Sequence, residues 1–247
     1  MSESLIYQFP LNESSRTYLR IEQLFQRCIQ AMEFDTEQSG LSFFSSIFDI
    51  LEVLERADIR QDLIKDLESQ QKEIARWAQY PNVDQAALKQ LDQSIQKCLG
   101  ELRGQVRLAN CLKDDRFLSG IRQRFSIPGG NCCFDVPQLH HWIGLDAETR
   151  QTDMHRWIST LDSLRVSIAL LMQLVRDGKL FRPAIAKKGF YQDSAENLQL
   201  LRIDCPAVTG VYPTVSGNKH RFTVRFMSLD SQGSSVDQDI EFKLSVS

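Results

Sequence analysis

No stretch of this 247-residue chain reaches the roughly 18 to 20 apolar residues that cross a bilayer, so a membrane-spanning helix is not expected. Met1 leads straight into acidic and polar residues, which is no signal peptide. The formal net charge is −3, too small for bulk attraction to polyanions; an anionic partner would have to meet a local basic patch. The six cysteines, at 28, 98, 111, 132, 133 and 205, lack the C-x2–4-C spacing of a structural zinc site. Cys28 and Cys98 fall on apolar helix faces, where a thiol behaves as a small hydrophobe. Free thiols in a reducing, cytoplasmic compartment are expected.

Other chemistries are missing too. Gly129-Gly130 lacks the Lys-Ser/Thr of a phosphate loop and the spaced glycines of a dinucleotide site. Cys132 or Cys133 with His140 could in principle form a nucleophile–base pair, but nothing fixes an oxyanion hole or an orienting third group. His155 and His220 are isolated in the sequence. No catalytic residue, metal ligand or cofactor site is expected.

Helical periodicity is abundant. Leu5–Phe9 reads as a short strand ended by Pro10, and Asn12 is a good N-cap for a helix over about 13–32. Arg16, Arg20 and Arg27 share a narrow arc of that helix, since steps of four and seven return almost to the start. Only Glu13 lies at pairing distance in sequence, three residues before Arg16. Further helices are expected over about 41–56, 59–80 and 84–112. Asp58 caps the second of these, with Leu63, Leu67, Ile74 and Trp77 on its apolar face. The third carries the heptad seam Leu88, Leu91, Ile95, Cys98 and Leu102. The short connection at 80–83 favours folding these last two into a long antiparallel hairpin, a seam to another subunit being the alternative. A last long helix is expected from Asp146 to near Gly178.

Between them lies the stretch Asp115–Trp142. Arg116, Arg122 and Arg124 lead to Ser-Ile-Pro-Gly-Gly, then to Cys132-Cys133-Phe134 and an Asp-Val-Pro helix start bearing His140 and His141. Pro128 restricts Ile127, and Gly129 and Gly130 permit positive φ. An arginine-bearing helix must therefore stop, reverse and hand over to a histidine-bearing one. The reversal is expected to floor a basic groove walled by long helices.

Beyond residue 180 the period changes from 3.6 to 2. Leu201-Ile203, Phe222-Val224-Phe226 and Ile240-Phe242-Leu244-Val246 alternate with polar residues. The expected class is α+β: a mostly helical bundle over 12–178 with a small antiparallel β-sheet domain made of 1–11 and 179–247. Arg221 and Arg225 should share one strand face, opposite Phe222, Val224 and Phe226. Arg56 and Arg60 form another basic pair. Arginine forks suit carboxylates, so these clusters favour an acidic peptide or another polyanion over a small substrate. A helical nucleic-acid-binding protein using the same arginines is the alternative; the acidic net charge and the lack of a helix-turn-helix or RNA-stacking motif count against it.

Several ordered segments resemble the ZapD family of bacterial cell-division proteins. They are Phe9-Pro-Leu-Asn-Glu13 with Arg16-Thr-Tyr-Leu-Arg-Ile-Glu22, Leu54-Glu-Arg-Ala-Asp-Ile-Arg60, Gln123-Arg-Phe-Ser-Ile-Pro-Gly-Gly130, Cys133-Phe-Asp135 with Pro137 and Leu139-His140, Gly189-Phe-Tyr-Gln-Asp193, and Tyr212-Pro213 through Arg221-Phe222 to Arg225-Phe-Met227. The resemblance implies a non-enzymatic homodimer with a helical domain and a β domain that includes the N-terminal strand. It implies binding to the C-terminal tail of FtsZ and cross-linking of FtsZ filaments into bundles in the Z-ring at midcell, with no nucleic acid or membrane as partner. By resemblance, tail recognition falls on Arg20, Arg116 and His140. Arg16, Arg56, Arg122, Arg124, Arg221 and Arg225 match further basic positions, and the cysteine pair belongs to the resembling turn.

Overall fold

The computed structural model describes residues 4–56, 58–80, 83–104, 109–206, 210–229 and 235–247. They form two compact units, Met1–Leu19 with Met172–Ser247, and Arg20–Leu171. The class is α+β, as the change of period indicates.

The helical unit is built around aromatic rings. Helix α1 (Glu13–Met32) turns Ile21, Leu24, Phe25 and Cys28 inward and leaves Arg20, Gln23 and Arg27 outside. In α2 (Glu37–Arg56), Phe43, Phe44, Ile47, Ile50 and Leu51 are essentially without solvent contact. Phe44 is the hub. Its ring centroid lies 4.9 Å from Trp142, 5.6 Å from Trp157, 5.7 Å from Phe117 and 6.1 Å from Phe125. Most of these contacts are edge-on or tilted, as ring quadrupoles prefer.

Helices α3 (Ile59–Trp77) and α4 (Gln85–Gly104) form the expected hairpin. Asp58 caps α3 by accepting from the Gln61 amide at 3.2 Å. Arg60 donates to the Leu102 carbonyl at 3.2 Å, and Gln71 to Asp92 at 2.8 Å, so the helices run antiparallel. Ile95, Cys98 and Leu102 of the heptad seam are buried. Trp77, expected on the inner face, is 43% exposed, because it sits at the last helical residue, beyond the Ile74 contact. The connection at Pro81 and Asn82 lies outside the described residues.

Two expected helices are divided. The one expected over 84–112 ends as α4 at Gly104; residues 105–108 lie outside the described residues, and Ala109 then takes a left-handed φ of 68° before a short α5 (Asn110–Lys113). A non-glycine residue in that region cannot continue a right-handed helix. The final long helix is α8 (Ala147–Ser159) and α9 (Asp162–Asp177), bent by 65° at Thr160–Leu161. Leu161 carries the apolar face across the break, which hides it from a periodicity reading. Among the described residues no single helix is long and apolar enough to cross a membrane.

Helices α6 (Arg116–Phe125) and α7 (Pro137–Ile143) flank the Pro-Gly-Gly reversal.

The β part contains two sheets rather than one. Strands β1 (Ser4–Pro10), β4 (Leu200–Pro206), β7 (Ile240–Val246) and β2 (Arg182–Ala186) form an antiparallel sheet in the order β1-β4-β7-β2. The N-terminal strand thus pairs with β4, Phe9 opposite Leu201. Strands β3 (Phe190–Ser194), β6 (Arg221–Ser228) and β5 (Val211–Asn218) form the second, in the order β3-β6-β5. Phe222, Val224 and Phe226 of one sheet share a core with Leu201, Ile203, Phe242 and Leu244 of the other, and Phe226 meets Phe242 at 5.3 Å. Leu200 and Leu201 are both buried, the two-sided burial that breaks the alternation there.

Replacing the hub ring tests this packing. Phe44→Ala should lower unfolding free energy by about 3 to 5 kcal/mol, the usual cost of deleting a buried ring. Urea titration followed by the fluorescence of the adjoining Trp142 and Trp157 measures it directly.

Candidate functional site: a cationic edge on two antiparallel helices

Three contacts form a ladder between α6 and α7. Arg124 faces Asp135 at 3.9 Å across the base of the reversal. A Cβ at Gly120 would stand 3.3 Å from the Gln138 amide nitrogen. Phe117 lies 6.1 Å from Trp142 by ring centroid. Residue numbers rise on one side and fall on the other in reverse as they do, so the helices are antiparallel. The start of α6, with Arg116, therefore lies beside the end of α7, with His140, His141 and Trp142.

Aspartates fix both helices. Asp115 caps α6, accepting from the Leu118 amide at 3.0 Å; its carboxylate also accepts from the Trp157 indole at 3.0 Å and from Arg156 at 3.4 Å. Burial pushes its pKa up, but the Leu118 amide, the Trp157 indole and Arg156 outweigh burial and leave it below the ordinary value. Trp142 donates its indole N–H to Asp153 of α8 at 3.0 Å. With Leu118, Ile121, Leu139 and Trp142 buried, Arg116, His140 and His141 are turned to solvent.

The reversal is tight. Ile127 N–H donates to the Arg124 carbonyl at 3.0 Å, Gly130 N–H to the Ile127 carbonyl at 2.9 Å, and Asp135 and Val136 N–H both to the Cys132 carbonyl at 3.0 Å. Gly129 has a φ of +71°, and a Cβ on Gly130 would stand 2.4 Å from the Arg124 carbonyl oxygen. The turn is an exposed tip instead of the expected groove floor: Phe134 is 80% and Ile127 45% exposed.

The basic residues divide by whether a carboxylate already holds them. Arg16 pairs with Glu13 at 3.3 Å, and Arg56 pairs with Glu52. Arg122 grips both oxygens of Glu55 at 2.9 Å, and Lys113 adds a 3.1 Å contact. Arg124 has only the long contact to Asp135. Arg60 is turned to the Leu102 carbonyl. Arg20, Arg116 and His140 are exposed and make no side-chain hydrogen bond or ion pair among the described residues. The ladder sets the start of α6, with Arg116, beside the end of α7, which carries His140, but no hydrogen bond or ion pair joins the two side chains among the described residues; Arg20 stands on the outer face of α1, with no bond to either.

A groove of about 640 Å³ does exist, between α2, α5 and α6. Its walls carry Asp49, Glu52 and Glu55 beside Lys113 and Arg122. Burial and Glu52 push the Asp49 carboxyl up, against the pull of Arg27. The Arg122 hydrogen bond holds Glu55 well down, at about 2. Three carboxylates against two cations make this groove unsuited to an acidic segment.

In the β unit, Arg221 and Arg225 project from the outer face of the three-stranded sheet, with the Phe222, Val224 and Phe226 side chains buried on the other. Their neighbours across the strands are Ser194 and Asn218, and Phe190 and Thr214. Arg225 lies over the Phe190 ring at 5.6 Å. The shared face is as the alternation predicts, and these rungs carry no acid.

Cys111, Cys132 and Cys133 are exposed thiols, and Cys28 is buried with its pKa pushed up to about 12, mainly by burial. No hydrogen bond joins Cys132 or Cys133 to a histidine, and no group of three metal-ligating side chains occurs, among the described residues.

Residues 19–225 match the family model described as ZapD, cell division protein. A cell division protein ZapD of Photobacterium profundum is 41% identical over 241 residues, covering 97% of this chain and 98% of its own. One from Aliivibrio fischeri is 42% identical over 240 residues, 97% and 96% of the two chains. One from Klebsiella pneumoniae is 38% identical over 244 residues, 99% of each.

The Glu55 contact gives a pH prediction. Its folded pKa is lowered from 4.5 to about 2, so its stabilisation is present above about pH 4.5 and lost as the pH falls towards 2. Glu55→Gln should flatten that part of the melting-temperature curve. The effect is modest because the side chain is 37% exposed and solvent screens the pair.

Proposed function

Since this chain belongs to the ZapD family of cell division proteins, and so takes part in cell division, we propose that it binds the C-terminal tail of FtsZ and, as a homodimer, bundles FtsZ filaments in the Z-ring at midcell. In this reading it is a cytoplasmic, non-enzymatic cross-linker. The observation that supports it is a set of exposed basic side chains that make no ion pair among the described residues: Arg116 at the start of α6, His140 on the neighbouring α7, and Arg20 on α1. An unpaired guanidinium can grip both oxygens of an incoming carboxylate without first breaking an internal pair. Arg124, held only at 3.9 Å by Asp135, is a further accessible contact. Arg221 and Arg225 offer a second basic face on the β unit. Arg16, Arg56 and Arg122 are already engaged with Glu13, Glu52 and Glu55 and serve the tail less.

Exposed ion pairs contribute only about 0 to 1 kcal/mol each, so a single edge binds weakly. Two edges per dimer, facing a polymer that displays many tails, raise the effective strength through local concentration. Weak, exchanging contacts suit a ring that remodels. The binding must also fall with salt, since the screening length shrinks from about 10 Å at 0.1 M to about 3 Å at 1 M.

Co-sedimentation with FtsZ filaments tests the proposal. Arg20→Ala combined with Arg116→Ala should abolish pelleting while melting temperature and oligomeric state stay as in the wild type. Undiminished pelleting of that folded variant would contradict it. A variant held monomeric should still bind a tail peptide and fail to bundle.

A further inference from the structure

The turn between α6 and α7 exposes an aromatic ring that the fold does not use. Phe134 is 80% exposed and makes no ring contact within the described residues. Ile127 and Pro128, on the same turn, are exposed as well. A large apolar side chain held in water gains nothing for the folded chain, and covering it with a partner's apolar side chain would be favourable. Flexibility does not explain the exposure. Four backbone hydrogen bonds, the Gly129 conformation and the closeness of Gly130 to the Arg124 carbonyl fix the turn, so the ring is presented on a stiff support. Stiff aromatic residues contribute most at interfaces, because little ordering is left to do on binding.

Two other strongly exposed apolar residues, Phe34 and Leu180, lie elsewhere in the chain. Phe34 is 62% exposed, on the α1–α2 connection between Glu33 and Asp35, the latter engaged by Arg150, and lies away from the α6–α7 turn in the sequence. Leu180 is 91% exposed and belongs to the β unit. Phe134 alone among these adjoins the cationic edge: Arg124 reaches Asp135, the next residue, and α6 runs from there back to Arg116.

We infer that Phe134, supported by Ile127, is the apolar anchor for the same acidic segment that Arg116 and His140 receive, and that this segment carries a large apolar side chain about four residues from a carboxylate. The inference rests on the proposed tail-binding role of the edge. The spacing takes Arg124, which reaches the residue after Phe134, as the ring's place along the edge. Arg116 and Arg124 are eight residues apart on one helix, about 12 Å along its axis, which an extended chain spans in roughly four residues. The charge complementarity sets orientation and the ring supplies the desolvated contact. The vicinal thiols Cys132 and Cys133 flank the ring as small, soft surface and need no chemistry of their own.

The test uses the full-length protein and a synthetic peptide of the FtsZ C-terminal tail, with affinity read by fluorescence anisotropy at several salt concentrations. Phe134→Ala should weaken binding by about tenfold or more, as truncated aromatic anchors do. Phe134→Leu should recover most of it. The melting temperature and the salt dependence should stay as in the wild type, because the ring is outside the core and carries no charge. Unchanged affinity in Phe134→Ala, with Arg116→Ala abolishing binding, would overturn the anchor and leave the tail-binding role standing. Unchanged affinity in both variants would overturn the two together. Unchanged affinity with a smaller sedimenting species would show that the ring packs on a second copy of the chain, which also overturns it.

Discussion

One carboxylate, Asp115, holds a helix start, an indole and a guanidinium at once: the Leu118 amide, the Trp157 N–H and Arg156. Through it the N-terminus of α6 is tied to α8, while the Trp142–Asp153 bond ties α7 to the same helix. Between the two indoles lie Phe44 and Phe117, with Phe117 stacked on Trp157 at 5.5 Å and 6°. A dense aromatic core does not let one ring move without the others, so α6 and α7 keep their antiparallel register. Arg116 is the residue immediately after the cap, and its direction is set by Asp115. A cationic edge is therefore a product of core packing, although none of its charges lies in the core.

Charge is distributed on this unit with a clear division. Arg56 and Arg122 are matched by acids of α2, and Glu55 alone engages both Arg122 and Lys113. These pairs brace the α2–α5–α6 region and leave its groove acid-rich. Arg116 and His140 have no such partners among the described residues. An exposed ion pair adds little to stability, so leaving a surface arginine unpaired costs the fold almost nothing, while any incoming carboxylate finds it available. The division separates structural from receptive arginines more sharply than their spacing in the chain could.

Much of the fold was legible in the sequence because its helices bury one stripe each and its strands one face. The hairpin followed from the seam at Leu88 to Leu102, the α6–α7 reversal from Ile-Pro-Gly-Gly, and the opposed faces of β6 from strict alternation. The breaks were not legible. Ala109 carries no mark of a left-handed conformation, and Leu161 continues an apolar stripe straight through a 65° bend. That the β part closes as two sheets depends on register between distant strands, which local pattern does not specify. For the site, the identity of the basic residues could be read but their engagement could not: Glu55 is 67 positions from Arg122. The Glu52–Arg56 pair, at four residues, was there to be read as a helical ion pair. Asp115 likewise had the sequence signature of an N-cap ahead of Arg-Phe-Leu, though not of an indole acceptor.

On the proposed reading, the α6–turn–α7 edge receives an acidic, partly apolar chain end. Amide chemical-shift mapping of the 15N-labelled protein with the FtsZ tail peptide tests it most directly. Saturable shifts are expected between Arg116 and Trp142, with the Phe134 and Gly130 amides among the largest and the α3–α4 hairpin unmoved. Shifts confined to the hairpin or to the acidic α2 groove, with the α6–α7 edge silent at saturation, would contradict it.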